Sequence, residues 1–215
     1  MIKDTMDFKT ILEGLNALPI FKMSLGSKEL FHSNFLEYLW SLDKERFIKL
    51  INILFGREVL AEDANNYELS REKENFDICI YHNEGKKIIY DVIIENKVKS
   101  IPNKEQLDGY VKKVENHKQG QKANYLLLSL ITDFPDKNGI RNDKVWTIVN
   151  YQNLHDAILK CYAGLEDKNS VYIQDYIEFA ELMQDLEQAI VPEKFISETL
   201  WPAYDDYKQY RLHDL

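Results

Sequence analysis

The sequence has 215 residues, 45% apolar and 12% aromatic, which suits one sizeable folded domain and argues against a disordered chain. A formal net charge of −9 argues against a surface that attracts nucleic acid as a whole, so any phosphate contact has to be local. No apolar run approaches bilayer length, the opening "MIKDTMDFKT" lacks the basic-then-apolar order of a signal peptide, and Cys79 and Cys161 form no CxxC pair, so a cytoplasmic protein without membrane contact, zinc site or disulfide framework is expected.

In chain order, residues 4–18 predict a helix ending near Pro19. A second helical pattern, from Ser27 to about Leu42, carries an apolar stripe of Leu30, Phe31, Phe35, Leu36, Leu39 and Trp40, and a third covers residues 44–56 up to Gly56. Three strand-like pieces follow, Tyr67–Glu72, Asn75–Tyr81 and Lys87–Glu95, the last two joined as a hairpin by the turn "HNEG". "NKEQLDGYVKKVENHK" reads as a helix, while "ANYLLLSLI" and "KVWTIVN" read as buried strands. From Tyr151 on the pattern is helical, with breaks near Gly164 to Ser170 and at Pro192. This order predicts an α/β protein with a mixed β-sheet flanked by helices and a helical C-terminal third. It divides into a core over residues 1–165 and a helical extension over 166–215 packed on that core.

Three charges sit where the periodicity expects none. In "NFDICIY" Phe76, Ile78 and Ile80 take the core face and Asp77 points the other way. In "YDVIIENKVKS" Glu95 and Lys97 end a buried run, and their shared parity puts them on one face, at a core edge where charge is costly without a partner or a task. Pairing of the two strands brings the three side chains together. Two carboxylates and an ammonium there suit a divalent ion, because Mg²⁺ prefers oxygen ligands and takes only one or two carboxylates in sites that handle phosphate. Such an ion offsets phosphate charge and makes water a better nucleophile. The same spacing also fits plainer roles, with Asp77 as the polar half of an alternating strand and Glu95–Lys97 as a strand-end ion pair of small value. The lysines gathered between Lys97 and Lys122 form either a basic lip beside this spot or a solvated helix face, and charge alone leaves both open.

Taken in order, "FDICI" and "IIENKV" resemble the PD-(D/E)XK nuclease superfamily, with Asp77 as its aspartate and Glu95-Asn96-Lys97 as its E-x-K. "ELFHSNFLEYLW", residues 29–40, resembles the E-x-x-H-S helix that opens one bacterial and phage branch of it. "QLDGY", residues 106–110, resembles that branch's Q-x-x-x-Y motif, and Glu72 of "REKENFD" fits its glutamate ahead of the aspartate. Phe76 stands where the superfamily often has proline. The resemblance spans residues 29 to about 130.

That resemblance implies a restriction-endonuclease-like fold and a Mg²⁺- or Mn²⁺-dependent deoxyribonuclease, with RNA as the alternative substrate. It implies Asp77, Glu95 and the Asn96 backbone carbonyl as metal ligands, Glu29 as a supporting acid at the metal, and Lys97 as the group that positions the attacking water. Without it, Glu29 reads as a helix-start acid that complements the dipole. His32 and Ser33, one turn on, either bond to the site or tie the helix to the sheet. Gln106 and Tyr110 either contact Lys97 or a phosphate, or are surface and core; Lys99 belongs with the substrate-binding lysines. The rival expectation is a catalytically idle nuclease fold acting as a protein-binding or regulatory module, which the acidic balance favours. A homodimer and a protein partner both stay open.

Overall fold

Consecutive rather than alternating apolar residues build the sheet. Ile78, Cys79 and Ile80 in one strand and Val92, Ile93 and Ile94 in the next are all essentially without solvent contact. Both sheet faces are therefore covered, which corrects the expectation of a single core face for "NFDICIY". The computed structural model describes residues 8–23, 28–98, 104–117, 122–130, 132, 144–165 and 169–190.

Four helices come first: α1 (Phe8–Ala17), α2 (Pro19–Met23), α3 (Lys28–Leu42) and α4 (Lys44–Phe55). Pro19 opens α2 rather than merely ending α1, since a proline at a helix start gives up only an N–H that has no partner there. Asp43 caps α4 by accepting the Arg46 N–H at 2.9 Å, and Gly56 ends it at φ 65°, where a Cβ would be strained. Along α3, Phe35, Leu36, Leu39 and Trp40 are buried as expected, and Phe31 packs at the edge of the core. Leu30 is not part of that stripe. It is 37% exposed, on the face it shares with Asn34 and Ser41.

Strands β1 (Glu68–Arg71), β2 (Ile78–Glu84) and β3 (Lys87–Lys97) run antiparallel, while β4 (Asn124–Ser129) and β5 (Trp146–Val149) continue from β3 in parallel, in the order β1-β2-β3-β4-β5. The sheet is thus mixed and flanked by helices. The expected β2 began at Asn75; instead Lys73–Asn75 form a 3-10 turn and the strand starts at Ile78. The hairpin closes two residues later than "HNEG" suggests, through Gly85 and Lys86 between the paired Glu84 and Lys87, with Gly85 at φ 62°. Ile80 pairs with Val92 but Tyr81 with Tyr90, so Asp91 is bulged out and Tyr90 is turned to the opposite face from Val92.

Helix α5 (Lys104–His117) crosses from β3 to β4. Asn96 meets α3 through Ser33, whereas its neighbour Glu95 meets α5 through Gln106. Alternation along β3 then places α3 and α5 on opposite sheet faces. Helices α6 (Tyr151–Tyr162) and α7 (Ser170–Ile190) follow, separated by the predicted break. α6 starts with a reciprocal cap between Asn150 and Asn153, and α7 packs against α6, α1 and α2. Pro192 lies outside the described residues. No described helix is long and apolar enough to cross a membrane.

Candidate active site

Hairpin register sets Ile78 against Ile94, so Asp77, one residue earlier, arrives beside Glu95 and Asn96. Its Oδ2 accepts the Asn96 backbone N–H at 2.7 Å. On the α5 face, Lys97 Nζ lies 2.7 Å from Glu95 Oε1, and both side chains are nearly fully buried, at 10% and 2% exposure. The shared parity of Glu95 and Lys97 has made them a contact pair. Gln106 adds a second donor, its Nε2 lying 3.0 Å from the same Oε1, and also donates to the Tyr110 hydroxyl at 2.8 Å.

The electrostatics follow from this packing. Burial pushes the Glu95 carboxyl up to about 7, the negative charge of Asp77 adds to the rise, and Lys97 opposes it. Burial also raises the Tyr110 phenol, with Glu95's charge next in weight. Glu95 Oε2 and Asn96 Oδ1 are buried and have no hydrogen-bond partner among the described residues. A buried carboxylate oxygen without a donor is costly, and an oxygen-seeking cation relieves that cost. Among the described residues no group of three or more His, Cys, Asp and Glu side chains comes together. The donor chemistry of Asp77 and Glu95, two carboxylates of which one buried oxygen has no hydrogen-bond partner among the described residues, nevertheless suits an oxygen-seeking ion that takes only one or two carboxylates beside water and phosphate.

The remaining expected residues divide. Ser33 Oγ accepts from Asn96 Nδ2 at 2.7 Å in a fully buried contact, tying α3 to the strand between Glu95 and Lys97. His32 turns the other way. Its Nδ1 is 2.8 Å from the Tyr176 hydroxyl of α7, and its ring sits among Phe31, Tyr151, Tyr176 and Phe179. Glu72 is exposed, with φ 53°, and reaches the site through its backbone N–H on the Asp77 carbonyl at 3.3 Å. Glu29 lies in the first turn of α3, where the structure describes its backbone alone, and Lys99 lies outside the described residues, as does Lys118. Of the other lysines, Lys104 pairs with Asp108 at 3.1 Å, Lys113 bonds to the Glu74 carbonyl, and Lys112 and Lys122 are exposed.

Sequence reasoning missed Tyr176 and Glu74. Tyr176 stands 144 residues from His32, and no local pattern links them. Glu74 looked like one more acid in "REKEN", and only its turn brings it to α5. A cavity of about 700 Å³ lies elsewhere, between α4 and α6, lined by Arg46, Lys49, Glu58, Lys160 and Cys161 among others, and none of the expected site residues lines it.

No curated protein and no solved structure matches the chain. A family model described as the PD-(D/E)XK nuclease superfamily, whose members are usually nucleases, matches residues 15–181, a span that takes in α3, the hairpin, α5 and the parallel strands. By that match over most of its length, the chain belongs to the PD-(D/E)XK nuclease superfamily.

Proposed function

We propose that the chain is a Mg²⁺- or Mn²⁺-dependent nuclease that hydrolyses phosphodiester bonds of DNA. One observation carries the reading: Glu95 is buried beside Asp77 with one oxygen held by Lys97 and the other without a hydrogen-bond partner among the described residues. Asp77, Glu95 and the Asn96 backbone carbonyl would hold the ion, with Glu29 in support. When bound, the ion offsets charge on the phosphate and makes water more acidic. Lys97, anchored on Glu95, orients the attacking water and balances the negative charge that grows as the P–O bond breaks. Gln106 keeps the Glu95 carboxylate turned toward Lys97, and Ser33 fixes Asn96 between the two. Cleavage of labelled single- and double-stranded DNA and RNA, with Mg²⁺, Mn²⁺ or chelator, tests the proposal. No cleavage of any substrate with either metal would overturn it.

The net charge of −9 favours a second reading, an idle nuclease fold that works through protein partners. Retention of two mutually repelling carboxylates weighs against it. Metal binding without cleavage, together with a captured protein partner, would decide for it.

A further inference from the structure

Gln106, Tyr110, Lys113 and His117 follow one another at helical spacing and share one face of α5. Gln106 reaches Glu95 and also donates to the Tyr110 hydroxyl, as described. The last two reach the turn that delivers Asp77. His117 Nε2 donates to Glu74 Oε2 at 2.6 Å, and Lys113 Nζ donates to the Glu74 carbonyl while lying 5.4 Å over the Phe76 ring. Tyr90 closes the group from β3: its ring meets His117 edge-on at 5.4 Å, and burial first, then Glu74's charge, pushes its phenol up from the ordinary value.

The turn so gripped is strained. Glu72, Glu74 and Asn75 have φ of 53°, 56° and 67°, in the left-handed region that favours glycine. Such conformations persist only where the surroundings hold them. Two residues beyond Glu74 comes Phe76, fully buried and edge-on to Tyr110 at 5.3 Å, and then Asp77. One helix face therefore touches both the turn that sets one carboxylate and the side chain of the other.

We propose that Glu74 is a positioning residue for the cleavage reaction. By bonding His117 it locks the left-handed turn to α5, and so fixes Asp77 in register with the Gln106-held Glu95. It acts through these groups and touches neither substrate nor ion, and the proposal rests on the nuclease reading above.

Glu74→Gly separates positioning from folding, because glycine removes the carboxylate bonded to His117, keeps the carbonyl bonded to Lys113, and adopts φ 56° without strain. In the full chain with chelator, its melting temperature is expected at or above the parent's. Its kcat on labelled DNA is expected to fall about tenfold, with KM for DNA nearly unchanged, because a small misplacement of reacting groups costs rate rather than affinity. The metal concentration for half-maximal rate is expected to rise, and the Mn²⁺-induced gain in melting temperature, which needs no cleavage, to shrink. His117→Ala is expected to follow Glu74→Gly, whereas His117→Gln, which keeps an N–H donor, is expected to retain most of the rate. A Glu74→Gly chain with the parent's kcat and metal response overturns this proposal alone. One that melts well below the parent makes Glu74 a structural clamp and also overturns it. A parent that neither cleaves nor responds to metal overturns the nuclease reading and this one together.

Discussion

Asp77 Oδ2 accepts the Asn96 backbone N–H at 2.7 Å, so the first acid of the site is bonded to the residue between the second acid and the lysine. This contact makes two substitutions at Asp77 differ. Asn retains a carbonyl oxygen for the N–H and removes the negative charge that opposes ionisation of Glu95. Asp77→Asn is expected to abolish cleavage and blunt the metal-induced rise in melting temperature, while the metal-free protein stays as stable as the parent or slightly more so. Asp77→Ala leaves the Asn96 N–H without its acceptor and is expected to cost about 1–3 kcal/mol. Melting curves of the three proteins with chelator and with Mn²⁺ check this. An Asp77→Asn chain that unfolds, beside a parent unmoved by metal, would make Asp77 a structural partner.

Lys97 is the mirror case. It is the cation that opposes burial and Asp77 at Glu95. Removing one partner of a buried pair leaves the other charged and unpaired, so Lys97→Ala is expected to lose cleavage and about 3 kcal/mol of metal-free stability at pH 8. At pH 5 Glu95 takes a proton instead and most of the loss vanishes. Equal losses at both values would mean that packing of the lysine stem, rather than its charge, is what matters.

Part of this arrangement is legible in the sequence. Parity along "IIENK" put Glu95 and Lys97 on one face because a strand has a fixed period of two. The "HNEG" punctuation showed that the two strands form a hairpin, but the register that sets Asp77 beside Glu95 comes from a later turn, between Glu84 and Lys87, and from the bulge at Asp91. What period and punctuation cannot show is contact between distant segments. His32 could be placed near Glu29 on α3, but its partner Tyr176 comes from α7. The burial of Cys79 was missed for a related reason, since alternation describes a sheet with one wet face and helices here cover both. Glu74 escaped because a left-handed turn of residues other than glycine has no sequence signature.

Contacts within the protein engage two of the lysines expected to form the basic lip. Lys113 is engaged with Glu74 and Lys104 with Asp108, which leaves Lys112 and Lys122 as the exposed lysines of the expected lip among the described residues. Reversing both to Glu is expected to weaken DNA binding and to flatten its salt dependence by a slope of about 2, one for each lost phosphate contact. The check is binding of a catalytically silent Lys97→Met chain to labelled DNA across a salt series. Unchanged affinity would place the DNA on another surface.

The last prediction concerns pH and follows from Glu95 alone. Its folded value, about 7, lies above the ordinary 4.5, so the folded protein holds this proton more tightly than the unfolded chain does. Below about pH 4.5 both states are protonated and the group costs nothing. Above about 7 both are ionised and the burial penalty is complete, at most about 3 kcal/mol from a gap of this size. Metal-free stability is therefore expected to fall as pH rises through that window, against a background set by the other groups. The neighbours that face Glu95 are Asp77, Lys97, Gln106 and Tyr110, and of these Asp77 deepens the fall while Lys97 softens it. A divalent ion competes with the same proton, so its apparent affinity is expected to drop by about tenfold per pH unit below 7 and to level off above it. Glu95→Gln removes both effects, because its side chain has no proton to exchange in this range. The measurement is a grid of melting curves for parent and Glu95→Gln from pH 5 to 8, with chelator and with Mn²⁺. Parallel pH profiles for the two proteins would show that Glu95 ionises normally, and the buried, metal-ready carboxylate would lose its support.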